Sequence, residues 1–260
     1  MRDNNEFSAR SCQVAERAGL GQHFRGYGAV QPDSRIYLTA GVVVTMGVLM
    51  AMVGFAAGIE LMGVLGTVLA MVLGGRLMLW DVPWLAGLLR SNHGARLDWY
   101  EHGIVVSSRR GVRAFRFDSM RVWRRVGTIA EGGVPEQVSL SYRVGSEYGD
   151  DVVIPVGLTG REQWGPALLH AVVAAQLPGA RARLEAGDRL DFGPFRLSRT
   201  AMGGELMVLW HQVREITVHE GLVAAWGVKG GRTVLLQAYP SELVGNLDLF
   251  WLLTRQLRAV

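Results

Sequence analysis

The chain has 260 residues, enough for one large domain or two small ones, with 49% apolar residues and a net charge of +4. Its one cysteine, Cys12, excludes a disulfide within the chain and any cysteine-based metal site. The basic residues are almost all arginine, Lys229 being the only lysine, a skew that fits a GC-rich coding bias better than a demand for guanidinium chemistry.

Residues 1–35 are mostly polar and read as a cytosolic N-terminal segment. From Ile36 to Ile59 no charge occurs. A helix of about 20 apolar residues crosses the hydrocarbon core of a bilayer, so 36–57 reads as a first transmembrane span. Glu60 interrupts, and 61–80 reads as a second span. Arg76 lies near enough to its end to reach the interface, where Trp80 and Trp84 also fit. A signal peptide would be shorter and nearer the start of the chain. Gly54, Gly58, Gly63 and Gly66 supply small residues that let two antiparallel helices approach closely. Arg25 and Arg35 before the pair, with Arg90 and Arg96 after it, place both chain ends in the cytosol by the positive-inside rule.

Beyond Leu89 the pattern changes to short alternating strands broken by glycine turns. Strands are expected at 97–100, 104–108, 112–117, 120–126, 137–144 and 151–156. A helix follows from about Pro166 to a stop at Pro178-Gly179. The same order then repeats, with strands at 190–197, 205–209, 213–219, 222–227 and 232–237. Ser241 is placed to cap a final helix carrying Leu243, Leu247, Phe250, Trp251 and Leu257 on one face. Phe117 aligns with Trp210, Met120 with Val213, Arg121 with Arg214 and Trp123 with Ile216, all at one offset. The fold class expected is therefore α+β. A transmembrane helical hairpin precedes two tandem pleckstrin-homology-like antiparallel β-barrels, 90–178 and 187–260, each closed by a C-terminal helix.

The stretches "WYEHGIV", "FRFDSMRVW" and "GDRLDFGPFRLSRTAMGGELMVLWHQV" resemble an uncharacterised family of bacterial membrane proteins. Glu101, His102, Gly103 and Phe115 match its first strand-rich pattern. Gly187, Phe192, Gly193, Leu197, Ser198, Trp210 and Val213 match its second. Phe117 departs from a tryptophan in the first pattern, and "AMGGEL" departs from a single glycine in the second. The likeness runs from about residue 15 to 258 and implies two membrane helices ahead of the strands, with no activity attached. It makes the expected location a bacterial inner membrane, with membrane lipid met by both spans.

Motif-borne chemistry is sparse. There is no G-x-S-x-G elbow, Walker loop, H-E-x-x-H or calcium loop. His23, His93, His102, His170, His211 and His219 are scattered, without an i, i+4 pair. Asp150-Asp151 lacks further acidic ligands nearby and reads as a solvated turn. Charge is the outstanding feature: Arg109, Arg110, Arg113, Arg116, Arg121, Arg124 and Arg125 stand against Asp118 alone between Ile104 and Val126. Three readings stay open for them: an anionic lipid leaflet, an anionic ligand or protein partner, or an ordinary outward-facing strand surface. Strand alternation keeps the arginines from automatically forming one patch. Nucleic acid is not expected, because no recognition helix or stacking platform is evident. The function expected is membrane-anchored binding or scaffolding without catalysis or cofactor, with a protein partner or a second copy as associate. The alternative is an accessory or regulatory subunit of a membrane transport or secretion complex. Arg109, Arg110, Arg113, Arg116, Arg124 and Arg125 are the candidate contacts.

Overall fold

The structure, a computed structural model, describes residues 2–29, 34–59, 61, 63–68, 72, 95–108, 111–131, 134–146, 149, 151–155 and 157–258. A first unit opens with helix α1 (Arg2–Arg17) and strand β1 (His23–Gly28). Helix α2 (Ser34–Ala56) follows. Strands β2 (Arg96–Tyr100), β3 (Gly103–Ser108) and β4 (Gly111–Arg116) then join β1 in an antiparallel meander, β1-β2-β3-β4. A second sheet, β5-β6-β7, is formed by Arg121–Glu131, Val134–Gly145 and Val152–Ile154, and helix α3 (Arg161–Glu185) closes the unit.

The second unit repeats this order. Four very short strands, β8 (Leu190–Asp191), β9 (Arg196–Leu197), β10 (Ala201–Gly203) and β11 (Val208–Leu209), make one sheet. β12 (Val213–His219), β13 (Leu222–Lys229) and β14 (Arg232–Pro240) make the other. Helix α4 (Leu247–Arg258) ends it. The hairpins of the last sheet turn on Glu220-Gly221 and Gly230-Gly231, all four at positive φ, as a two-residue turn matched to strand twist requires.

The repeated order holds, but the expected barrels do not. All the sheets among the described residues are small, antiparallel and open. In the first unit the chain leaves β4 through the turn Phe117–Met120 and begins a separate sheet. Among the described residues the far edges are linked by an isolated bridge, Ala29↔Leu158, and the adjoining Thr159 N–H to the Gly28 carbonyl. In the second unit, two- and three-residue strands offer too few ladder bonds to complete a ring.

The membrane expectation is also corrected. Among the described residues no helix is long and apolar enough to cross a membrane. Much of the second expected span, with Arg76, Trp80 and Trp84, lies outside the described residues, as does Arg90. The inner-membrane location, the cytosolic termini and the lipid partner rested on these spans and go with them. The close approach of the two segments does occur: a Cβ on Gly66 would overlap backbone atoms of Gly47 and Ala51. α2 stops at Gly58, φ 70°, where the Gly58 and Ile59 N–H groups return to the Phe55 and Gly54 carbonyls.

Two further departures concern the first unit. β1 comes from the segment read as a polar N-terminal extension; it pairs along β2, and α1 with the turn after it covers one face of the same sheet through Ala15 and Leu20 against Tyr100 and Val105. α3 starts before Pro166 and runs through Pro178 to Glu185. Two internal prolines cost about 6 kcal/mol, at about 3 each. Trp164, Leu168, Val172, Ala180 and Leu184 are buried along the helix, and the four large side chains among them, at about 1.5–3 kcal/mol each, offset the loss. The two halves of the helix serve different cores. Trp164, Leu168 and Val172 pack under the first unit's sheets, whereas Ala180 and Leu184 belong to the second unit's core beside Phe195, Leu197 and Phe250.

Candidate functional site

The aligned corners occupy corresponding places. Phe117 and Trp210 are buried just after the fourth strand of each unit, and Met120 and Val213 are buried where the next sheet begins. They are core residues. In the first unit, however, the corner also binds the second. Gln176 of α3 donates through Nε2 to the carbonyls of Phe117 (2.8 Å) and Met120 (2.7 Å). Asn246, immediately before α4, donates through Nδ2 to the Met120 carbonyl (3.2 Å) and to Gln176 Oε1 (2.8 Å). Its Oδ1 accepts the Val122 N–H at 2.7 Å, and its own N–H returns to the Val122 carbonyl at 2.8 Å. Asn246 takes φ 50°, a left-handed backbone that asparagine tolerates better than most residues.

The seam continues along β5. Arg124 donates to Asp248 Oδ1 at 2.7 Å, Arg125 lies 3.8 Å from Glu242, and the Ser241 hydroxyl accepts the Val126 N–H at 3.2 Å. The Arg143 guanidinium stacks 4.5 Å over the Trp123 ring. Burial holds the Asp248 carboxyl above its ordinary range, opposed by the Arg124 charge.

Where the units meet they leave a cleft of about 480 Å³. Its walls come from the corner (Asp118, Ser119, Arg121), from α3 (Gln176, Arg183), from β8 and its approach (Arg189, Asp191) and from Asn246 with Leu249. Asp118 is held below the usual carboxylate range, chiefly by its hydrogen bonds from Arg116.

A second buried polar group lies beneath α1. Asp98, 1% exposed, accepts from Arg96 Nε at 2.6 Å and pairs with His23 Nε2 at 3.1 Å. Ser11 and Ser107 bond beside it, and burial pushes the Tyr100 phenol well up, with Cys12 and Asp98 adding to the rise. This group fastens α1 and β1 to the sheet. Among the described residues no three His, Cys, Asp or Glu side chains gather as a metal site.

A family model described as a family of unknown function (DUF6585) matches residues 1–259. The chain belongs to this family. The match carries no statement of membrane character or of bacterial origin. Nothing among curated proteins or solved structures matches the chain. Two of the glycines that suggested a family pattern have clear structural work. A Cβ on Gly103 would overlap the Phe115 carbonyl, and Gly193, at φ 86°, sits against the Leu243 carbonyl.

The candidate arginines are not gathered into one patch. Arg109 and Arg110 lie outside the described residues. Arg113 pairs across from Val106 and Arg116 from Gly103, so the two point to opposite faces of the first sheet. Arg116 grips Asp118 at 2.8 Å and donates to the Gly19 carbonyl at 3.1 Å, tying down the end of α1. Arg124 and Arg125 face the second unit. Sequence reading missed Gln176, Asn246, Arg183, Arg189 and Asp98. The only local signals were the pre-helical "GN" at 245–246, passed over for Ser241, and a lone carboxylate in the strand "LDWY". Leu243, read as part of the helical face, instead sits in a 3-10 turn and is exposed.

Proposed function

We propose that this chain is a non-catalytic binding protein, two sheet-and-helix units locked into one platform with a ligand cleft between them. The supporting observation is how the cleft's polar groups are used. Asn246 and Gln176 spend their amides on backbone groups and on each other. Asp118 is a weak base because Arg116 stabilises its ionised form. Ser119 is the lone hydroxyl side chain in the lining and no histidine joins it, so the paired nucleophile and base of covalent catalysis is not assembled there.

The test is a turnover panel of carboxylic esters, phosphomonoesters, phosphodiesters and thioesters on the full chain and on Ser119→Ala, alongside native mass spectrometry. We expect no turnover and a retained non-covalent adduct. Turnover abolished by Ser119→Ala would overturn the reading. A second reading, an accessory subunit of a larger protein assembly, is favoured by the exposed apolar residues of α2 and the stretch after it, among them Met46, Met52, Phe55 and Leu61. A complex of defined mass after crosslinking the full chain is the outcome that reading requires.

A further inference from the structure

We propose that the cleft between the two units is an anion site that takes a phosphate group. This rests on the binding reading above and assigns that cleft its ligand chemistry. Three guanidiniums line it, from three separate elements: Arg121 at the start of β5, Arg183 on α3 and Arg189 ahead of β8. The two carboxylates that share the lining are already engaged within their own units. Asp118 is held by Arg116, with bonds of 2.8 and 3.1 Å. Asp191 accepts the Gly193 N–H at 2.8 Å; its 3.8 Å pair with Arg196 is as exposed and weak as other surface pairs.

Two of the arginines, Arg183 and Arg189, are less committed. Arg189 has no ion pair or hydrogen bond of its side chain among the described residues. Arg183 has Asp188 at 3.4 Å, an exposed pair of the kind that contributes little and exchanges readily for a stronger anion. The charged side chains of the lining are three arginines against Asp118 and Asp191, and the Asp118 charge is already met by Arg116. Two forked, planar guanidiniums suit the oxygens of a phosphate better than a single carboxylate. The start of α4 adds to this field: Asn246 caps it through its carbonyl to the Phe250 N–H, and Leu249 of the first turn lines the cleft. At about 480 Å³ the space falls in the range of small-molecule sites, so a phosphate with a modest organic group fits.

The experiment is isothermal titration of the full chain at low ionic strength with inorganic phosphate and, separately, with phenyl phosphate. Saturable one-to-one binding is expected. Arg183→Gln and Arg189→Gln should each weaken it at least about fivefold, and the double variant should abolish it. Arg255→Gln, on α4 outside the cleft, should leave it unchanged. Both substituted arginines are exposed, so circular dichroism should match the parent chain. Tighter binding of phenyl phosphate identifies an esterified phosphate as the ligand, and equal binding identifies the free ion. No saturable binding of either probe, or binding that survives the double variant, overturns the anion site. If native mass spectrometry then still shows an adduct, the loss is confined to the phosphate assignment and the binding reading stands.

Discussion

Asn246→Ala should be the most informative single change in this protein. The substitution deletes the acceptor for the Val122 N–H and the donor to Gln176, and it leaves alanine in a left-handed backbone. Val122 is 1% exposed, so its N–H has no ready access to water. A buried orphaned donor costs about 1–3 kcal/mol. Alanine at positive φ adds about 1 kcal/mol. The expected loss is roughly 2–4 kcal/mol, which for a chain of this size lowers Tm by roughly 5–15 °C. Asn246→Gly loses the same hydrogen bonds but removes the backbone cost, so it should be the milder variant by about 0.5–1 kcal/mol once glycine's extra unfolded-state entropy is counted. Urea unfolding of both variants, followed by tryptophan fluorescence and circular dichroism, makes the comparison. The two probes should also separate in the alanine variant, because the bonds removed join the units. Parent-like stability of Asn246→Ala, or a glycine variant less stable than alanine, would refute the reasoning.

Arg124→Gln should destabilise the chain at neutral pH by about 1 kcal/mol, a figure kept small because about a third of the Asp248 side chain is exposed. Asp248 sits above its ordinary range through burial, and Arg124 restrains that rise. Removing Arg124 lifts the folded value further, so the penalty is present at neutral pH and is lost as pH falls through the folded values, which lie above the unfolded value near 4. A penalty that grows on acidification contradicts this assignment. Tyr100→Phe probes the group beneath α1. Because the phenol is raised in the folded chain, its contribution is complete below the unfolded value of about 10 and is lost as pH rises through the folded one. The fall in unfolding free energy above roughly pH 10 should be shallower in the phenylalanine variant, and an unchanged slope would place the alkaline sensitivity elsewhere.

Much of this architecture is written in short-range pattern. Alternation marked the seven-residue strand β12 at its full extent, and paired turn residues marked both hairpins of the last sheet. Matching one half of the chain to the other aligned Phe117 with Trp210 and Met120 with Val213, and all four are buried. These features depend on neighbours two to four residues away, which is the range over which side-chain direction repeats along strand or helix.

What the tertiary structure decided lies at longer range. α3 continues through Pro178 because Ala180 and Leu184 have a second core to enter, and no local rule anticipates that core. β1 joins β2 across a separation of about seventy residues, so its partner is invisible to a window reading. Arg124 and Asp248 stand 124 positions apart, as do Val122 and Asn246. Arg124-Arg125, where the second copy has Thr217-Val218, were therefore open in one dimension to a lipid leaflet, an anionic ligand or partner, or plain surface. In three dimensions they face the other unit. By itself the sequence determined the longer strands, such as β12, and the turns of the last sheet. The tertiary structure decided how the two copies are joined and where the remaining charge collects, because both depend on partners that only the folded chain brings within hydrogen-bonding distance.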